Sequence, residues 1–331
     1  MELIKTPIKI NKMELHNRIV MAPMATSKAS FGEVSQQLID YYDEKSKGGY
    51  IGLIITEHQY IRHDGMADPG QISISKDSDI VGLKKLVDTI HHNGCKVIAQ
   101  ISHAGSAAKP SETGYESISA SAVIHPGSAG KLGITPREMT KAEIKEIVSD
   151  FAEAALRVKK AGFDGVELHS AHAYLLNQFY SPLSNKRQDE YGGSLAKRLL
   201  IHQEIIKAVR AKVGNDYVIA MRLGASDYME GGSSITDGVK AASLLAEAGL
   251  DLLDISGGFG GFKREADAEP GYFSDATVAI KKEVDIPIIL TGGISDKVSA
   301  ERLLQEKKAD LIGIGRALLK DSAWAMKVIE E

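Results

Sequence analysis

Short apolar runs rich in Ile, Val and Leu recur along the chain at residues 18–22, 51–56, 96–101, 165–169, 218–223, 250–255, 286–290 and 309–314. Each has strand length, and longer stretches with helical spacing lie between them. The clearest is residues 141–161, where Ile144, Ile147, Val148, Phe151, Ala155 and Val158 share one face. Thr140 and Glu143 form a capping box before it and Gly162 a C-terminal stop after it. Strand and helix in alternation imply parallel strands joined by right-handed crossovers. Eight such units can close into a barrel, whereas a doubly wound sheet usually stops sooner and keeps open edges. The pattern therefore predicts an α/β chain, a (β/α)8 TIM barrel over residues 1–331 as one domain. Residues 6–10 and 13–15 flank Asn11-Lys12 and read as a hairpin that plugs the barrel bottom. Two connections, 102–139 and 257–271, are long enough to be functional lids.

Composition narrows the class. A 43% hydrophobic, 25% charged chain with net charge −4 is ordinary for a globular protein, with no basic excess to attract nucleic acid. The single cysteine, Cys95, excludes an intrachain disulfide or a four-cysteine metal site and fits a reducing, cytoplasmic setting. The N-terminal stretch lacks the apolar core of an export signal, and no run is long enough to span a membrane, so neither export nor a membrane partner is expected. Whether copies assemble into a homo-oligomer stays open.

In a barrel the reactive groups come from the C-terminal strand ends. Here these read Pro23-Met24-Ala25-Thr26, Glu57-His58, Gln100 with His103, Glu167 through Tyr174, Arg222, Asp254 with Ser256, Gly292-Gly293 and Gly315-Arg316. All are expected at one mouth. Loops seven and eight commonly cradle phosphate through backbone N–H groups. The glycines would let that backbone approach, and Arg316 adds a fork-shaped cation. The alternative is that the glycines only make tight turns. Gly258-x-Gly260 and Gly313-x-Gly315 lack the third glycine of a Rossmann fingerprint, and neither a GxxxxGK[ST] nor a GxSxG stretch occurs. His169 and His172 could ligate metal, but no further histidine has suitable spacing, so none is expected. With Tyr174 they could instead bind a substrate oxygen and supply a proton, as reduction of an activated alkene requires.

The stretch Gly162-Phe-Asp-Gly-Val-Glu-Leu-His169-Ser-Ala-His172-Ala-Tyr174 and its continuation through Arg187 and Tyr191 to Ser194 resembles the signature of the Old Yellow Enzyme family. The similarity runs from Asn17-Arg18 to Arg316-Ala-Leu-Leu and looks closest to the short bacterial branch. Ending at Glu331, the chain is expected to lack the iron–sulfur and flavin/NAD domains of the dienoyl-CoA reductase and trimethylamine dehydrogenase relatives. The resemblance implies FMN at the barrel mouth, with NADH or NADPH as transient reductant. It puts the phosphate on Gly292, Gly293, Gly315 and Arg316, the pyrimidine edge at Gln100, and Arg222 beside N1 and O2. Pro23, Met24 and Ala25 would line the other edge. His169 and His172 would grip the acceptor's carbonyl or nitro oxygen, with Tyr174 the proton donor.

Three positions depart from the family pattern. Ala25 stands where relatives place Thr or Cys, with Thr26 expected to point away. His58 replaces a small residue and would narrow the site or reach the flavin edge, and Ser106 replaces an Arg. The resulting reading is a ping-pong ene reductase acting on a small-molecule electron acceptor. Its rivals are an NAD(P)H:quinone reductase or oxidase on the same flavin, a non-catalytic flavin-binding protein, and a flavin-free phosphosugar isomerase or aldolase.

Overall fold

The computed structural model describes residues 2–264 and 269–330. Eight parallel strands close a barrel: β1 (Ile19–Met21), β2 (Leu53–Tyr60), β3 (Lys96–Ser102), β4 (Gly165–Ser170), β5 (Val218–Ser226), β6 (Leu252–Gly257), β7 (Ile288–Leu290) and β8 (Leu311–Ile314). β8 pairs with β1 to complete it. Each expected run holds a strand, though the edges move. β2 runs on to Tyr60 because its pairing with β3 skips from Thr56 to Gln59, a bulge that gives Glu57 and His58 a single partner position.

Period-two alternation sorts each strand. Outward residues such as Ile54, Val97, Ile219 and Leu253 pack against the surrounding helices, whereas Val20, Leu53, Ile55, Ile98, Val218, Leu252, Ile289 and Leu311 fill the interior. The predicted hairpin forms between Ile8–Ile10 and Met13–Leu15. Ile10, Met13 and Leu15 are buried in that interior cluster and close the barrel floor.

The same floor is pinned by acceptors just before the strands. Asp164, Asp251 and Asp310 accept from the backbone N–H of Val97, Ile219 and Ile288 at 2.9, 2.8 and 2.9 Å. Asn17 does likewise for Gly52 at 3.0 Å. Such bonds use donors that a parallel ladder leaves unpaired at its start.

The helix predicted at 141–161 spans Lys141–Lys160, with the Thr140–Glu143 capping box in place and Gly162 at φ +96°. The 102–139 connection carries two short paired strands, Ile118–Ser119 and Arg137–Glu138. The buried Arg187 guanidinium ties it down, donating to the Ala120 and Met139 carbonyls at 3.0 and 2.6 Å. The connection 257–271 is described except for residues 265–268, which lie outside the described residues.

Candidate active site

Strand parity carries the apolar floor upward into a polar layer. Two residues above Ile98 comes Gln100, above Ala220 comes Arg222, and above Leu252 comes Asp254. Neighbouring strands bring His169 beside Arg222 and Arg222 beside Asp254, with Gln100 beside Glu167. Above them opens a cavity of about 990 Å³, at the large end of the roughly 300–1,000 Å³ typical of ligand sites. Every residue to which the resemblance gives a flavin or acceptor role lines it: Pro23, Met24, Ala25, His58, Gln100, His169, His172, Tyr174, Arg222, Gly292, Gly293, Gly315 and Arg316.

The β4 end is built under strain. His172 and Ala173, neither glycine, both adopt left-handed φ, at +55° and +63°, a conformation costing on the order of 1–3 kcal/mol each. The following helix, Leu175–Tyr180, holds them there. Asn177 Oδ1 accepts from the Ala173 N–H at 2.8 Å, and Gln178 Nε2 donates to the Ala173 carbonyl at 2.6 Å. The kink sets the rings of His169 and His172 5.2 Å apart and Tyr174 4.9 Å from His169, both edge-on. His172 Nε2 shares a hydrogen bond with Ser256 Oγ at 2.8 Å. Among the described residues the Tyr174 hydroxyl makes no hydrogen bond.

Burial decides the protonation states. It drives His169 and His172 well below the usual histidine range, helped for His169 by its imidazole neighbours and for His172 by Arg222. Both rings are neutral at physiological pH. Burial also lifts the Tyr174 phenol to about 12, so it stays protonated. Beneath them Arg222 Nε lies 3.2 Å from the fully buried Asp254. Burial, then the Asp254 charge, pushes Glu167 upward, and Gln100 Nε2 donates to Glu167 Oε1 at 2.8 Å. That bond leaves the Gln100 carbonyl oxygen for a ligand.

The glycines at the opposite wall differ in kind. A Cβ at Gly292 or Gly293 would come within 2.8 or 2.9 Å of the Tyr272 ring, and both have left-handed φ, so turn geometry and packing already require them. At Gly315 a Cβ would meet only the flexible Met24 side chain, its Sδ at 3.4 Å. Its missing side chain leaves cavity space, with Arg316 alongside donating to Tyr272 Oη at 3.2 Å. A phosphate-bearing planar ring therefore fits: an open glycine cradle with a cation, an amide edge, and a buried guanidinium.

Several strand-end polar residues face elsewhere. Thr26 does point away and bonds Glu57 at 2.7 Å, while Glu57, raised to about 7 mainly by burial, also meets Tyr42. His103 packs on Gly65 and lies 3.4 Å from Asp64. Ser170 bonds His202 at 2.9 Å, outside the barrel interior. Ser106 is buried, its N–H bonded to Gln178 Oε1 at 3.0 Å, away from the cavity. Sequence reasoning missed Phe262, Lys263, Arg264 and Tyr272, which line the mouth. The aromatic and basic content of the 257–271 connection could have signalled the first three, and nothing in that connection signals Tyr272, which follows it.

A family model for the NADH:flavin oxidoreductase / NADH oxidase family matches residues 4–331, and the chain belongs to that family. It is 39% identical over 329 residues to an NADH oxidase of Thermoanaerobacter brockii, covering 97% of this chain but only 50% of that protein. With an NADPH dehydrogenase of Bacillus subtilis it shares 37% identity over 322 residues, covering 97% of this chain and 92% of the relative. An Old Yellow Enzyme homologue from Zymomonas mobilis superposes with a TM-score of 0.84 at 25% identity, covering 99% and 92% of the two chains. The Old Yellow Enzyme resemblance is thus borne out, and with it a family cofactor, FMN, reduced by NAD(P)H. The chain spans about half the length of the Thermoanaerobacter relative. Among the described residues no helix is long and apolar enough to cross a membrane.

Proposed function

We propose that this chain is an FMN-dependent NAD(P)H oxidoreductase that reduces C=C bonds activated by a carbonyl or nitro group, in the cytoplasm. The observation that carries this reading is the convergence of two neutral imidazoles and one protonated phenol on a single cavity wall, opposite the Gly315–Arg316 cradle.

Bound FMN would supply the hydride relay from NAD(P)H to the acceptor. The side chains do the rest. Gly315 and Arg316, with Gly292 and Gly293, would hold the phosphate, and Pro23, Met24 and Ala25 one ring edge. Gln100 would accept from the pyrimidine edge. Arg222, its guanidinium already balanced by Asp254, would stabilise negative charge at that edge. His169 and His172 would donate N–H bonds to the acceptor's oxygen, withdrawing electrons from the alkene without releasing a proton. Tyr174 would protonate the α-carbon, because neutral imidazoles cannot act as the acid.

The name NADH oxidase carried by one relative favours a second reading, electron delivery to oxygen or quinones. Both are tested by purifying the protein, recording flavin absorbance, and titrating it anaerobically with NADH and NADPH. A yellow protein bleached by either supports an oxidoreductase. A colourless protein that does not take up FMN refutes it.

A further inference from the structure

Beneath the acceptor wall, four adjacent strands assemble an ionisable cluster that the steps above leave half used. β3 contributes Gln100, β4 Glu167, β5 Arg222 and β6 Asp254, and strand pairing sets Gln100 beside Glu167 and Arg222 beside Asp254. Glu167 and Asp254 are fully buried and Arg222 nearly so. Gln100 Nε2 donates to Glu167 Oε1 at 2.8 Å, and Arg222 Nε lies 3.2 Å from Asp254 Oδ2. Beyond these contacts the carboxyls are bare: among the described residues Glu167 Oε2 and both Asp254 oxygens accept no hydrogen bond.

The charges do not balance if every group is ionised. Two carboxylates and one guanidinium would leave a net negative charge where neither carboxyl reaches solvent, and burying an uncompensated charge is heavily penalised. One retained proton restores neutrality. Burial raises both carboxyls, and Arg222 opposes it in each. The Asp254 charge raises Glu167 further. The proton therefore belongs to the pair, with Glu167 its main holder and the negative charge on Asp254.

We propose that Glu167 and Asp254 are positioning residues that share one proton and, through Arg222, hold constant the charge presented to the flavin edge. When either carboxyl is lost, the other ionises and pairs with the guanidinium. This rests on the flavin placement given above, with Arg222 at the pyrimidine edge. An Arg222 without counter-charge would overstabilise negative charge at that edge, so the pair keeps the flavin potential low enough to pass hydride on.

The test uses FMN-loaded protein at pH 7 and three near-isosteric variants: Glu167→Gln, Asp254→Asn and the two combined. Its readouts are the flavin midpoint potential, by equilibration with reference dyes, and the carboxylic-acid C=O stretch in infrared difference spectra. The double variant strips Arg222 of its counter-charge, so its reduced-to-oxidised equilibrium should rise roughly 10- to 100-fold, about 30–60 mV upward. Each single variant should move that equilibrium by less than about threefold, because the surviving carboxyl takes over and the cycle is strongly non-additive. In the infrared, both single variants should lose the same acid band of the wild type, Glu167→Gln by removing the group and Asp254→Asn by ionising it. A merely structural role would lower stability and leave that band in Asp254→Asn. The band surviving in Asp254→Asn, potentials that add across the cycle, or a double variant at the wild-type potential would each overturn the proposal. Where the double variant fails to fold, the band in Asp254→Asn decides alone. The infrared arm reads the pair with or without flavin, so a colourless protein would count against the proposed function while the shared proton is judged separately.

Discussion

Replacing Tyr174 with Phe removes one oxygen atom whose loss the fold should scarcely register, because that hydroxyl makes no hydrogen bond among the described residues. The chemical effect should be large. No neighbouring imidazole can substitute as the acid: burial holds His58 near 4 and His169 and His172 well below their usual range. Only water remains, so reduction of an enone should slow by roughly 10²–10⁴-fold, about 3–5 kcal/mol of barrier. Anaerobic stopped-flow separates the half-reactions. Bleaching of the bound flavin by NAD(P)H should stay near the wild-type rate, while reoxidation by 2-cyclohexenone slows and reoxidation by a quinone does not. The pH profile adds a sign. A phenol raised to about 12 is protonated throughout pH 6–10, so wild-type enone reduction should not decline as pH passes 10. Equal loss of enone and quinone turnover, or loss of neither, would refute the role of Tyr174.

Arg316→Ala should weaken FMN binding by about tenfold, the lower part of the range for a charge-assisted phosphate contact because this guanidinium is exposed; unchanged flavin affinity by equilibrium dialysis would remove Arg316 from the phosphate site. Asp251→Ala strips the Ile219 N–H and the Arg210 guanidinium of partners at 2.8 and 2.6 Å, and should cost about 2–3 kcal/mol, lowering Tm by several degrees with flavin binding preserved. Burial alone would raise Asp164, but bonds from His91, Lys96 and the Val97 N–H outweigh it and hold it below its ordinary value. Its stabilisation is therefore present above the unfolded carboxyl pKa and lost as pH falls below about 4, which acid denaturation of Asp164→Asn against wild type would reveal as a flatter low-pH limb.

The barrel was legible because parallel strands buried on both faces read as short continuous apolar runs, and the helix face at Ile144, Ile147 and Phe151 repeats with helical spacing. The floor hairpin was legible for the same reason, its apolar residues alternating around Asn11-Lys12. Cavity-lining residues were anticipated by position at strand ends, but that rule does not say which way a side chain points. Parity does so only where a strand stays regular, as from Ile98 to Gln100. At the β2 bulge it fails: Glu57 turns out to Thr26 and Tyr42, and His58 turns in. His103 fails for another reason, because its partner Asp64 comes from a different loop. The packing of Tyr272 on Gly292 and Gly293 was likewise invisible, since it depends on how a distant segment folds back.

The proposed function couples nicotinamide oxidation in this cavity to saturation of an activated alkene. Its most direct test is a single turnover: protein reduced anaerobically with one equivalent of NADH or NADPH, mixed with 2-cyclohexenone, and followed by flavin absorbance and product analysis together. The yellow colour should return as cyclohexanone appears, one molecule per flavin. Reduced flavin that persists with enone yet reoxidises with quinone or oxygen, yielding no saturated ketone, would contradict it.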